Sequence, residues 1–199
     1  MSTQSTTYPV SLRGELTTPL SRWLWLVKWF LAIPHFIVLG FLSIASFVLW
    51  VIAFFAILFT GKYPKGLFDI NVGVMRWHWR VGFYCYQAMG TDKYPPFSLD
   101  PDPNYPADLD VQYPEKLTNW KVLVKWLLAI PHWIIVGIFN SGRGGVIILL
   151  AIVCCLVLLF KGKYPEDLFK IIIGMNRWTY RVIAYVMMRD EYPPFQLDP

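Results

Sequence analysis

The longest apolar stretch of the chain is WLWLVKWFLAIPHFIVLGFLSIASFVLWVIAFFAILF, Trp23 to Phe59. In 37 residues Lys28 is its only formal charge and His35 its only other titratable group. As one helix rising 1.5 Å per residue, the run would extend about 55 Å. The hydrocarbon slab it must cross is about 30 Å thick. Two shorter spans with a tight turn near Gly40 and Ser43 fit better, which predicts a helical hairpin over about residues 22–60. A second run has the same layout. Trp120 to Phe139 is apolar apart from Lys121, Lys125 and His132, and Asn140-Ser-Gly-Arg-Gly-Gly145 is a turn signal. Val146 to Phe160 is then free of charge, so a second hairpin is expected over about 119–161.

Over the whole chain 56% of residues are apolar, 18% aromatic and 16% charged, where a soluble domain carries about 25% charged residues. That composition assigns the chain to a membrane. Scarce charge and abundant aromatics exclude disorder, and three cysteines in 199 residues exclude a disulfide scaffold. No nucleic-acid module accompanies the net charge of +5. The first 22 residues are polar with no cleavage-like site, so insertion without a cleaved leader is expected.

The chain is written twice. Leu26-Val-Lys-Trp29 and Leu31-Ala-Ile-Pro-His35 return 97 positions later as Leu123-Val-Lys-Trp126 and Leu128-Ala-Ile-Pro-His132. Gly61-Lys-Tyr-Pro64 returns as Gly162-Lys-Tyr-Pro165, and Arg76, Trp77 and Arg80 return as Arg177, Trp178 and Arg181. Tyr94-Pro-Pro-Phe97 and Leu99-Asp100 return as Tyr192-Pro-Pro-Phe195 and Leu197-Asp198. The repeats are 1–100 and 101–199. Each opens with an alternating segment (Val10, Leu12; Ala107, Leu109, Val111, Tyr113) expected as a short strand outside the membrane. Ser21 and Thr118 are the expected N-caps of the hairpins. Gly61 and Gly162 suit left-handed C-terminal caps, with Tyr63 and Tyr164 behind them at the interface.

The segments 66–88 and 167–188 decide the topology. Asp69, Gly73, Arg76, Arg80 and Tyr84 recur at spacings of three and four, as do Lys170, Gly174, Arg177, Arg181 and Tyr185. An arginine at mid-bilayer costs about 2.5–3.5 kcal/mol on insertion scales. A helix lying in the headgroup plane escapes that cost and meets lipid phosphates. Both segments therefore read as interfacial amphipathic helices, with Arg76, Arg80, Arg177 and Arg181 as lipid-binding side chains. Lys28 and Lys125 read as lysines snorkelling to the same interface. Four spans would put both termini and 17 of the 18 basic residues on one side, the cytoplasmic one, with Arg143 at a turn on the other.

His35 and His132 are the sharpest pair. A parallel duplication sets equivalent residues about an axis normal to the membrane, where two histidines could ligate a haem. The plainer reading has each bond a carbonyl freed by the proline before it. Tyr-Pro-Pro-Phe reads as a rigid cytoplasmic turn, and the acidic segment 100–110 as a solvated connector. The cysteines lack metal or disulfide spacing, and no phosphate loop, dinucleotide fingerprint, HExxH or serine elbow occurs. No catalytic set is expected, and no cofactor beyond the haem alternative.

The blocks WLLAIPH, GKYPxxLF, RWxxRV and YPPFxLD resemble a family of bacterial membrane proteins catalogued as domain-of-unknown-function family 4389. That resemblance implies a multi-pass inner-membrane protein and carries over no catalytic residues. The expectation is an all-α integral membrane protein with a small cytoplasmic layer of strands and turns, acting as a structural or accessory subunit. Its expected partners are membrane lipids with anionic headgroups, and other membrane-protein subunits or further copies of itself. A haem-bearing redox subunit and a small transporter at the repeat interface are the alternatives.

Overall fold

A computed structural model describes residues 8–141 and 145–198. The first repeat runs β1 (Val10–Gly14), α1 (Trp25–Leu31), α2 (Ile33–Thr60) and α3 (Lys65–Cys85). The second runs β2 (Ala107–Val111), α4 (Lys121–Leu128), α5 (Ile130–Asn140), α6 (Val146–Lys161) and α7 (Glu166–Met187). Both alternating segments form strands, and they pair with each other. The sheet is antiparallel and two-stranded, with Leu12 opposite Leu109.

The hairpins expected within 22–60 and 119–161 are not there. The first run breaks at Ala32, and residues 33–60 form one helix of 28 residues. Nothing inside it stops a helix: Gly40 is tolerated, and the Ser43 hydroxyl bonds back to Leu39 O at 2.6 Å, within the helix. The break belongs to Pro34, which has no N–H to give the preceding turn and sits at the start of α2, where proline is accepted. The second run bends by 53° at the same place, between α4 and α5.

The expected turn at 140–145 lies partly outside the described residues, at 142–144. On its near side Gly145 N–H donates to Ser141 O at 2.8 Å. The second run passes along α7 in one direction. Lys125 sits at Tyr185 near the C-terminal end of α7, Asn140 reaches Thr179 at its middle, and α6 ends a short loop before Glu166. Thus α5 and α6 together stand where α2 stands in the first repeat. The true hairpins are α2 with α3 and α6 with α7. Gly61 and Gly162 close them at φ +67° and +70°, with N–H groups on Ile57 O and Leu158 O, as the cap reading expects. Tyr63 and Tyr164 are buried rather than interfacial. Their hydroxyls meet Asn71 and Ala88 O.

The interfacial reading of 66–88 and 167–188 also gives way. From Asn71 to Cys85, α3 is buried at every position but His78, and α7 is buried over most of its length. They are inner helices because the leading strands cover them. β2 packs on α3 and β1 on α7, so each repeat's strand lies on the other repeat's helix. The apolar face of the ribbon (Val10, Leu12, Ala107, Leu109, Val111) joins Trp79, Phe83, Phe169 and Ile173 in one core spanning both repeats.

The outer helices stay largely uncovered, α2 among them. Helix α2 is the one described helix long and apolar enough by itself to cross a membrane, and 17% of its most apolar stretch is buried. The bent α4–α5 pair passes the same test when taken together, and α6 is a shorter apolar helix.

Candidate functional site

Of the six basic residues expected at lipid, Arg76, Arg80, Arg181, Lys28 and Lys125 are buried in the protein itself, and Arg177 is half-buried. The stripe on α3 points at the ribbon and the tail of its own repeat. Arg76 donates through Nε to Leu109 O and through Nη1 to Leu99 O, both at 2.8 Å. Arg80 donates to Asp100 O at 2.8 Å. Asp108 stands 3.1 Å from both guanidinium groups. Gly73 permits this approach, since a Cβ there would fall 2.8 Å from Leu99 Cβ. Burial lowers the Arg80 guanidinium from its ordinary value, and the charge and bond of Asp108 oppose that without cancelling it. The acidic connector is therefore not wholly solvated. Its last residues form β2, and Asp108 is shared between Arg76 and Arg80 while Asp110 lies 3.4 Å from Arg76.

Lys28 and Lys125 do not snorkel. Lys28 Nζ lies 2.8 Å from Asp92 and 2.7 Å from Thr91 O, while Lys125 Nζ lies 2.8 Å from Asp190. The second oxygen of each aspartate accepts a backbone N–H, Ser21 at 2.6 Å or Thr118 at 2.7 Å. Ser21 Oγ accepts the Trp23 N–H at 3.4 Å, but the cap positions of α1 and α4 themselves are Leu24 and Trp120 rather than Ser21 and Thr118. The backbone of Ser21 and Thr118 is tied down by aspartates some seventy residues later, and α1 and α4 begin at Trp25 and Lys121. For Asp190, burial would raise the carboxyl. The bonds from Lys125 and Thr118, with the lysine's charge, overcome it and hold the group below its usual range.

The histidines occupy two separate boxes, one per repeat. His35 Nδ1 accepts the indole N–H of Trp77 at 3.0 Å, and His132 Nδ1 that of Trp178 at 2.9 Å. The rings stack on Phe97 and Phe195 at 3.9 and 4.0 Å. Each box packs in its own small apolar cluster, so the structure does not bring the two imidazoles together about one axis. A lone pair committed at Nδ1 places the neutral ring's proton on Nε2. Nor does either histidine take the carbonyl freed by the kink. Tyr94 and Tyr192 donate their hydroxyls to Leu31 O and Leu128 O, at 3.0 and 3.2 Å. The Tyr-Pro-Pro-Phe turn is a clamp over the kink, its tyrosine on the carbonyl and its phenylalanine on the imidazole.

Sequence reading missed Asp92, Asp190 and Asp108. The first two carried a signal, for they are spaced by the same 98 positions as the two Tyr-Pro-Pro-Phe blocks that follow them. Asp108 carried none, because its counterpart in the first repeat is Ser11. Where the repeats differ they can still agree in chemistry. Ser43 meets His78 at 2.8 Å in one, and Asn140 meets Thr179 at 3.0 Å in the other.

The doubled geometry is matched by a doubled family signature. A family model described as domain of unknown function (DUF4389) matches residues 22–98 and again 119–197, together most of the chain. The chain belongs to the DUF4389 family. It carries the DUF4389 unit in tandem, and each match holds one kink, one clamp, one lysine–aspartate pair and one inner helix. Both leading strands fall outside the matched residues. No curated protein and no solved structure matches the chain.

Proposed function

We propose that this DUF4389 protein is a non-catalytic, membrane-embedded structural or accessory protein of the bacterial inner membrane, working beside other membrane-protein subunits or further copies of itself. The single observation behind this reading is the outer face of α2 and its counterpart α5–α6. Phe41, Phe59 and Phe160 are 72%, 77% and 80% exposed on helices that are apolar all round. A soluble monomer rarely leaves contiguous apolar patches beyond a few hundred Å² open to water. Hydrocarbon, or another apolar helix within it, removes that cost. The polar side chains of the outer helices, among them Lys28, His35, Ser46, Lys125 and His132, are turned inward, where they tie the chain to itself.

Alkaline extraction of native membranes followed by mild-detergent purification tests the reading. The protein is expected to stay in the pellet and then to migrate with partners or as an oligomer. Recovery as a monodisperse soluble monomer without detergent would overturn it. The haem alternative has no comparable support, since the histidines sit in separate boxes and the indole N–H on each Nδ1 leaves the ring proton on Nε2, the atom that would have to offer iron its lone pair. Protein expressed with ample haem should show no Soret band.

A further inference from the structure

The ribbon has an internal twofold relation. The residue opposite Leu12 is Leu109, its equivalent in the other repeat 97 positions on. The same relation makes Ser11 the counterpart of Asp108, and Arg13 that of Asp110. It also pairs two open cavities of nearly equal size. One, of about 440 Å³, lies between α3, β2 and the first tail, and is lined by Arg76 with Asp69, Asp100 and Asp110. The other, of about 450 Å³, lies between α7, the end of β1 and the second tail, and is lined by Lys170 and Arg177 with Asp198. Three carboxylates around Arg76, namely Asp69, Asp108 and Asp110, correspond around Arg177 to Lys170, Ser11 and Arg13.

The replacements leave the second arginine pair without the partner the first pair has. Among the described residues, no carboxylate comes within ion-pairing distance of Arg177 or Arg181. Arg177 donates to Leu197 O at 2.8 Å, Arg181 donates to Asp198 O at 2.9 Å, and the Arg181 guanidinium lies 5.3 Å from the Tyr8 ring. Arg13 points elsewhere, to Tyr105 O and Glu15. Lys170 is 73% exposed and only loosely held, 3.6 Å from the freely exposed Asp167. A guanidinium fork and an exposed ammonium at the mouth of a cavity walled by Phe169, Ile171 and Ile173 suit an anion that carries a carbon skeleton.

We propose that this cavity binds a phosphate ester, with Arg177 and Lys170 holding the phosphate and the apolar wall receiving the carbon portion. The external phosphate takes the place that Asp108 and Asp110 fill in the twin. The proposal does not depend on the membrane reading, because a soluble ester and a phospholipid headgroup present the same group.

The full-length protein, purified in a non-ionic detergent, is titrated with glycerol 3-phosphate while its thermal unfolding is followed. In parallel it is reconstituted into nanodiscs of phosphatidylcholine alone or with phosphatidylglycerol. A saturable rise in Tm is expected in at least one arm. A response to glycerol phosphate identifies a soluble ester, and a response to phosphatidylglycerol alone identifies a headgroup. Lys170→Asp and Ser11→Asp, both at exposed positions, each install the twin's carboxylate and should weaken the response at least tenfold. Asp69→Asn in the other cavity should leave it unchanged. If neither arm raises Tm, or if the response persists undiminished in Lys170→Asp and Ser11→Asp, the proposal is overturned.

Discussion

Asp190 joins three parts of its repeat with two oxygens: one faces Lys125, the other holds the backbone of Thr118, and the residue itself follows α7. Removing one partner of a buried pair leaves the other charge uncompensated, which costs about 3–5 kcal/mol. Asp190→Asn should therefore lower stability at neutral pH by about 3 kcal/mol, read from denaturation in detergent. The sign of the pH dependence follows from a carboxyl held below its ordinary range. The contribution is complete above the unfolded-state value, about 3.9, and is lost as pH falls through the lower folded value. Wild type should thus lose stability on acidification below about pH 4, and Asp190→Asn should lose less over the same window. The histidine boxes make a second residue-level statement. Trp178→Phe deletes the donor to His132 Nδ1 while keeping an aromatic ring, at a cost of about 1 kcal/mol. Ring ¹⁵N shifts should report an Nε2-protonated neutral imidazole in wild type and a changed tautomer balance in the variant. Unchanged shifts would remove the indole from the account.

At the scale of elements, the two capping glycines share a conformation but not surroundings. A left-handed residue other than glycine costs about 1–2 kcal/mol. At Gly61 an added Cβ also meets Asn119 Oδ1 at 2.8 Å and the backbone Leu117 O at 3.1 Å, whereas at Gly162 it meets the movable end of Arg22. Gly61→Ala should therefore lower Tm more than Gly162→Ala, and equal losses would contradict the packing described. These glycines were legible in the sequence because a left-handed cap followed by proline is a local signal. So were the strands, whose alternation is local, and the extents of α3 and α7 to within about three residues. The hairpin expectation fails because 37 apolar residues exceed one bilayer thickness without that length saying where the run breaks. The actual break lies at Pro34, near the start of the run. The arginine stripe was legible as a stripe, but its direction was not. The strand segments that cover it come from distant parts of the chain, and a periodicity says which residues share a face without saying what lies opposite. The lysine–aspartate pairs failed for the same reason, their partners being more than sixty residues apart.

For the whole molecule, exchanging the leading strands makes the two repeats structurally dependent. Without β1, α7 would present Arg181 and the core residues around Ile173 to solvent. Without β2, Arg76 and Arg80 would lose Asp108. Cutting the chain in the connector between Pro101 and Asn104 and co-expressing the halves should yield fragments that copurify. Either half alone should be recovered poorly or aggregated. Halves that fold and migrate separately would show that the strand exchange contributes little to stability. The ribbon at the pseudo-twofold centre has a further consequence for inheritance. Two units that meet through the same residue on each side could assemble as separate, identical molecules, but any mutation in one would then appear in both. Asp108 could not become serine on one face and stay acidic on the other. Joining the copies in one reading frame releases that constraint, so that one half can keep its charges internally satisfied while its sister leaves them open to an outside ligand.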